Sequence, residues 1–481
     1  MSAADLMDSA ARAAFTRATS THAANSVSTE QRAPDIRTLA LKKAIGERVV
    51  IADGATGSLL DAILGDEGAD RRDLVPLEHP EAAIGIHRAY IAAGAEILKT
   101  ATFNASARGL SNHAGSNRAG SNRAGSGLAE AGLAAAGPAS ADPDSVNPAH
   151  ELAKRLNTDS ATFARSAVDE AEETDGRMRW VAGSVGPGSD APSLGGSSYR
   201  ELRESYLPQF LGLIRGGADL ALIETVQDTL QCKAAIGALE EAGRLTGRKL
   251  PFIASATVDA RGRLLSGADP AAFAAIIEPF GPLAIGLNCS GGPDELESAF
   301  EALSRATSAP ICIMPNAGLP RSVGGKVSWP LDARSFAEKT AAIARRYGAG
   351  IAGGCCGTGP DHIAALVSAL AGARAPAPRP RRVFALASAF EAVTASVGED
   401  GRAAMLVIDE RSNASGSAAF KAIVKSGDSG AAARFVSDRA ARGPAAVDIS
   451  VAGAARDEAA MLAGIVSRAA PVAGAAFSID T

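Results

Sequence analysis

APICIMPNAG (309–318), SFAEKTAAIARRYGA (335–349) and AGIAGGCCG (349–357) decide the fold. The first and last are short, nearly continuous apolar runs, as strands buried on both faces are. The middle stretch is amphipathic at helical spacing. Upstream the same alternation recurs. VVIADGATG (49–57), AEILKTATF (95–103), RWVAGSVGP (179–187), ADLALIETV (218–226), PFIASATV (251–258) and AIGLNCS (284–290) read as strands. Each is followed by a helix-like segment such as PEAAIGIHRAYIAAGA (80–95). Eight βα units predict an α/β fold of the (β/α)8 TIM-barrel type, with an open doubly wound sheet as the structural alternative.

The 481 residues allow two to three domains at ~150 residues each. With 46% hydrophobic and 21% charged residues the chain has ample core material, and wholesale disorder is excluded. Aromatics are only 4%, so Ala, Val, Ile and Leu must build the core. A net charge of −5 argues against a nucleic-acid partner, whose footprint is basic. No uncharged apolar run reaches the ~18–20 residues of a membrane span, so no membrane partner is expected either. The N-terminus lacks the apolar stretch of a secretory signal, and Asp5 and Asp8 oppose a transit peptide. The expectation is a cytoplasmic protein whose residues 1–44 form a disordered tail.

The barrel is assigned to residues 45–372, with a flexible insertion at 107–150. A tandem SNHAG, SNRAG, SNRAG repeat at 111–125 cannot bury enough apolar surface to offset its ordering. Residues 373–382 are a Pro- and Arg-rich linker. Beyond it, 383–481 carry a second, incomplete α/β pattern with strands at MLVIDERSN (405–413), AAVDIS (445–450) and AAFSID (475–480). Three strands do not close a barrel.

GLNC (286–289) and GGCCG (353–357) place Cys289, Cys355 and Cys356 at the C-terminal ends of the sixth and eighth strands, where a barrel carries its active site. Adjacent cysteines in a regular strand face opposite ways, but flanking glycines permit a turn that aims both sulfurs at one ion. Three thiolates plus an exchangeable fourth ligand make an open zinc site. Thiol redox chemistry at Cys355–Cys356 is the competing reading. Cys232 and Cys312 read as buried packing residues, since Cys is among the most buried residue types. His79, His87 and His362 read as surface or helix-end residues, and Asp228 as a helix cap.

GLNCSGGPDEL (286–296), IMPNAGLP (313–320) and IAGGCCGTGPDHI (351–363) resemble the homocysteine-binding domain of homocysteine S-methyltransferases. That domain is also the first module of cobalamin-dependent methionine synthase. DGATGSLL (53–60), IHRAYIAAGAEILKTATFNAS (86–106), VAGSVGP (181–187), IETVQDTLQCKAA (223–235) and LLSG (264–267) match in the same order. The resemblance implies zinc held by Cys289, Cys355 and Cys356, with the homocysteine sulfur as a further ligand. Zinc coordination deprotonates a thiol, so a metal-held sulfur attacks a donor's methyl group without a protein base. It also implies that Glu224 binds the substrate amine. The turn from Asp53 through Ala55 and Thr56 binds its carboxylate, and Asn316 bonds the site or the metal. The candidate donors are methylcobalamin supplied by another module, S-methylmethionine and betaine. Two departures stand out: DGATGS where DGAMGT is common, and KTATF, with Lys99 and Ala101, where ETNTF is common.

VIDERSNASGSAAF (407–420) resembles the opening of the pterin-binding domain that follows in methionine synthase, and Asn413, Asp448 and Asp480 match positions near its pterin. Asp409 and Ser450 depart from that pattern. The piece is expected not to bind methyltetrahydrofolate. The chain is then a homocysteine methyltransferase, or a homocysteine- and zinc-binding module of a methionine synthase whose folate and cobalamin functions lie elsewhere.

Overall fold

The computed structural model describes residues 35–64, 74–116, 147–188, 191–323, 326–374, 384–395 and 405–480. The eight apolar runs become β1 (Val50–Ile51), β2 (Ile97–Lys99), β3 (Trp180–Val185), β4 (Leu220–Val226), β5 (Phe252–Ala256), β6 (Ala284–Cys289), β7 (Ile311–Pro315) and β8 (Ala349–Ala352). All pair in parallel in the order β1-β8-β7-β6-β5-β4-β3-β2. Glu96 N–H donates to Ile51 O at 2.8 Å and Asp53 N–H to Ile97 O at 2.9 Å, so the ladder continues from β2 back to β1. The sheet is a (β/α)8 barrel, not an open doubly wound sheet.

Two apolar shells result. One lies between strands and helices, with Phe210, Phe273, Phe300 and Phe336 fully buried. The other fills the barrel's lower interior with Val50, Ile97, Leu220, Leu222, Ile253 and Ile351. Helix α1 (Ile36–Glu47) closes that end by inserting Leu41 and Ile45, both buried, into the inner shell. Asp35 caps it by accepting from Arg37 N, and Trp180 donates its indole N–H to Arg37 O at 2.9 Å. Residues 36–44, expected in the tail, are therefore helical. Leu41 within them and Ile45 just after them are the apolar lid that a barrel floor requires; residues 1–34 lie outside the described residues.

Helices α2 (Thr56–Leu64) and α3 (Pro80–Ala92) follow β1. The region expected as a flexible insertion begins with helix α4 (Ala107–Ser116), and its end opens helix α5 (Pro148–Asp175). Buried Ala107 and Leu110 explain the first, packing with Leu152 and Leu156. Residues 117–146, with most of the repeat, lie outside the described residues. Helix α5 is the crossover to β3 and packs on α6 (Tyr199–Arg215). Gly212 and Gly216 allow that approach, since a Cβ there would fall 2.4 and 2.3 Å from the carbonyls of Lys154 and Thr158. The remaining crossovers are α7 (Thr229–Thr246), α8 (Pro270–Ile277), α9 (Pro293–Ala306), α10 (Ala333–Tyr347) and α11 (Pro360–Ala369).

Of the linker, Ala373 and Arg374 are described, and Arg374 bridges to Arg48. The antiparallel hairpin β9 (Phe384–Ala387) and β10 (Ala392–Ala395) packs on the barrel. Phe390 O accepts Asp269 N–H at 2.8 Å, and Glu391 pairs with Arg263 at 2.9 Å. Residues 384–395 thus pack on the barrel rather than with the second sheet. That sheet consists of parallel β11 (Ile408–Asn413), β12 (Ala446–Ser450) and β13 (Ala476–Ile479). Helices α12 (Ala418–Ser426), α13 (Ser429–Ala440) and α14 (Glu458–Ala469) cover one face around Phe420, Val436, Val447 and Ile465. No described helix is long and apolar enough to cross a membrane.

If α1 is the barrel floor, Leu41→Ala should destabilise the protein by about 2–5 kcal/mol in urea unfolding. Exposed Leu39, on the same helix, should tolerate the same change with little loss.

Candidate functional site

Cys289 is the last residue of β6, and Cys355 and Cys356 follow β8. Their sulfurs all lie within 4.8 Å of one another, with Cys289 and Cys356 at 3.6 Å. The backbone explains the convergence. Cys355 N–H donates to Pro315 O at 2.8 Å, Ala317 N–H to Cys356 O at 3.0 Å, and Gly354 N–H to Asp53 O at 3.1 Å. The double-cysteine turn is thus tied to the ends of β7 and β1. Gly357 has φ +78°, and a Cβ on it would fall 2.1 Å from the Trp329 ring, so glycine is required. Cys289 and Ser290 both have left-handed backbone, φ +60° and +66°. Such conformations cost about 1–3 kcal/mol each for non-glycine residues. Ser290 Oγ partly offsets this by accepting Val258 N–H at 2.7 Å and sharing a proton with Thr257 Oγ1 at 2.6 Å.

Cys289 and Cys356 are within hydrogen-bonding distance of each other. Hydrogen bonds from Cys289 and Cys355 pull the Cys356 thiol far below its ordinary range, while bonding to Cys355 and Cys356 pushes Cys289 up. The donor set is soft, compact and at a barrel mouth, which suits a thiolate-preferring ion such as zinc. Cys232 and Cys312 are fully buried elsewhere, and burial pushes the Cys312 thiol up to about 12.

Beside the sulfurs runs a polar floor. Asp53 accepts Lys99 N–H at 2.8 Å and faces Lys99 Nζ at 3.6 Å; Nζ also donates to Gly354 O at 3.1 Å. Both residues are buried. Burial raises Asp53 to about 7 despite the ammonium. Burial also opposes the charge on Lys99, but Asp53 and Glu224 override it and hold Lys99 above its ordinary value. Burial raises Glu224 too; its Oε1 accepts Ser184 Oγ–H at 2.5 Å. Tyr90 shares its hydroxyl proton between Ala55 O and Thr358 O, at 3.0 and 2.9 Å, locking the first loop to the cysteine turn.

One cleft of about 980 Å³ brings Ala55, Thr56, Glu224, Cys289, Cys355 and Cys356 together. Lys99, Thr225 and Trp329 also line it. Asp53 and Asn316 are buried outside its lining; Asn316 N–H donates to Gly291 O at 3.0 Å, and its Oδ1 has no partner. Asp53 N–H is spent on Ile97 O and Ala55 N–H on Thr358 O, both at 2.9 Å, so in the expected carboxylate-binding turn neither is free, whereas the N–H groups from Thr56 onward open helix α2. Asp228 caps α7, accepting from Leu230 N and Ser193. His79 stands at the N-cap position of α3 with its carbonyl, not its ring, accepting Ala82 N–H at 3.0 Å, and His362 sits in the first turn of α11, accepting Gly359 N–H at 3.2 Å. His87, expected at a surface or helix end, is buried on α3 with neither ring nitrogen partnered. Burial alone lowers it to about 4, so it is neutral. In the second sheet Asn413 Nδ2 donates to Asp448 at 3.1 Å and Asp480 at 3.4 Å.

Sequence reasoning missed Ser184, Thr225 and Asn288 as members of this site. Asn288 stands next to Cys289 and Thr225 next to Glu224, and adjacency to a candidate ligand was the available signal.

Comparison with known proteins adds three findings. The family profile described as homocysteine S-methyltransferase matches residues 50–370. Methionine synthase of Mycobacterium leprae (strain TN) is 31% identical over 449 residues, covering 92% of this chain and 34% of that protein. Methionine synthase of Mycobacterium tuberculosis (strain ATCC 25618 / H37Rv) is 31% identical over 447 residues, again covering 34% of that protein. The chain thus spans about a third of the length of these relatives. Among solved structures, the metallated homocysteine methyltransferase MmuM from Escherichia coli is 24% identical with a TM-score of 0.49, covering 66% of this chain and 96% of that one.

The buried Lys99–Asp53 pair makes its own prediction. Lys99→Met leaves a buried carboxylate without its counter-ion and should cost about 3–5 kcal/mol in denaturant unfolding. Lys99→Met/Asp53→Asn should recover most of that loss. In the single variant Asp53 titrates above about 7 when folded but near 4 when unfolded, so the folded state binds the extra proton. Its stability should therefore fall as pH rises from about 4 to beyond 7.

Proposed function

The chain belongs to the homocysteine S-methyltransferase family, and from that premise we propose that it transfers a methyl group to the sulfur of L-homocysteine, giving L-methionine. The observation that carries the proposal is the convergence of Cys289, Cys355 and Cys356 within 4.8 Å in the same cleft as Glu224. Zinc is the cofactor this donor set fits, and when bound it keeps a substrate thiol ionised at neutral pH. The protein's own groups supply the rest. Glu224, buried and held by Ser184, takes the substrate ammonium as a charge-assisted hydrogen bond. The first turn of α2, beginning at Thr56, offers free N–H groups and a helix N-terminus to the carboxylate. Asp53 is committed to Lys99, so its role is to hold that cation under the cleft. The unpaired Asn316 oxygen is the reserve acceptor for the site or its metal.

The proposed methyl donors are methylcobalamin, S-methylmethionine and betaine. A second reading is favoured by one fact, that the chain spans 34% of its methionine synthase relatives. On that reading it is the homocysteine- and zinc-binding module, and folate and cobalamin functions are supplied by further modules. The C-terminal sheet has three strands, and Asn413 bonds both Asp448 and Asp480 at their ends; it is proposed not to bind methyltetrahydrofolate.

Metal analysis of purified protein should find one zinc, lost in Cys289→Ser, Cys355→Ser and Cys356→Ser and kept in Cys232→Ser and Cys312→Ser. Zinc equal to wild type in Cys289→Ser would refute the site. Assays with each donor should give zinc-dependent methionine from one of them. Turnover that needs only Cys355 and Cys356 and ignores chelators would assign thiol redox chemistry instead. Homocysteine binding without turnover would leave the module reading. Calorimetric titration with methyltetrahydrofolate should show no binding.

A further inference from the structure

Thr225, Cys289 and Ser290 are the non-glycine residues with positive φ among those described, and all sit where β4 and β6 end. Thr225 is the most unexpected, because a β-branched side chain strongly disfavours its φ of +57°. Strain of this kind persists only where the surroundings impose it. Here Asn288 imposes it, the fully buried residue preceding Cys289.

The Asn288 amide has one orientation. Its Oδ1 accepts Thr225 N–H and Ser255 Oγ–H, both at 2.8 Å, and both partners are donors. Its Nδ2 therefore faces the other way, donating to Thr225 Oγ1 at 2.8 Å. Glu224 Oε2 lies 3.4 Å from the same nitrogen and Cys355 Sγ 3.9 Å. Thr225 is thus held at both its backbone and its hydroxyl by one side chain. Because its oxygen accepts from Asn288, its own proton is left for the cleft that it lines. The ladder between β4 and β5 shifts register between Ile223 and Val226, so Glu224 and Thr225 are released from regular strand geometry there.

We propose that Asn288 and Thr225 form a positioning pair that aims Glu224 at the substrate's ammonium and couples it to the strand end carrying Cys289. The inference rests on the reading of Glu224 as the amine-binding residue. Ser184 holds one carboxylate oxygen and Asn288 the other, so removing Asn288 frees Oε2 to rotate, and removing the Thr225 hydroxyl takes away the acceptor that holds the Asn288 Nδ2 in place beside it. The Cys355–Cys356 turn has its own backbone ties to the ends of β1 and β7, so its position is set mainly by those bonds and only the long 3.9 Å contact to Cys355 Sγ links it to Asn288.

The test compares zinc-loaded proteins by calorimetry with two ligands, L-homocysteine and 4-mercaptobutanoate, the same thiol acid without the amine. Thr225→Val, which keeps the shape and removes the hydroxyl, should weaken homocysteine binding about tenfold and leave mercaptobutanoate binding and zinc content unchanged. Asn288→Ala should do the same or more, and Thr225→Ser should restore the preference. Equal weakening of both ligands, or loss of zinc, would show a merely structural role and overturn the proposal. No change in either variant would overturn it as well. If wild type binds the two ligands equally, the amine reading of Glu224 fails first and takes the pair with it.

Discussion

Two backbone hydrogen bonds across the seam between β1 and β2 decide whether this sheet has a mouth at all. β1 regularly pairs only two residues, yet it must hold both β8 and β2. Once it does, the ends of β1, β2, β4, β6 and β8 face one space. Asp53, Lys99, Glu224, Cys289 and the double-cysteine turn then meet although they are scattered along the chain. Left open, the seam would part Asp53 and Gly354 from Lys99, and Lys99 would be a buried charge without acceptors.

Electrostatic balance follows from that convergence. Two buried carboxylates and a cluster of thiols stand against one buried ammonium. The surplus is negative, which suits a divalent cation and the ammonium of an amino acid together. Lys99 keeps the surplus from becoming prohibitive, since burial alone already drives Asp53 and Glu224 toward their neutral forms.

The strands were legible because strands buried on both faces are written as unbroken apolar runs, and each cysteine motif falls on the end of one. Helix α1 was not, because only Leu41 and Ile45 of its residues are buried, too sparse a stripe to mark a helix. His87 was misread for a related reason: a histidine inside an apolar helical face looks like any helix-end polar residue until the neighbouring elements cover it. In the site, residue types and spacing pointed to the thiols and to Glu224. They could not show that Ala55 N–H is spent on Thr358, nor that Lys99 is paired with Asp53. Those are contacts between strands remote in sequence, and periodicity carries no record of them. The left-handed Thr225 was equally invisible, since nothing in its residue type announces that conformation.

The placement of the thiols on β6 and β8, with β7 between them, has a mechanical consequence. An ion held by both ends would staple across a strand that contributes no sulfur, closing the whole stretch of chain from residue 289 to residue 355 into a loop. Such a cross-link removes configurational freedom from the opened state as a distant disulfide does, but reversibly. With such an ion bound, the last third of the barrel would be a clasp whose tightness follows the free metal level, so that metal supply would set how often those strands fray as well as whether the site is loaded.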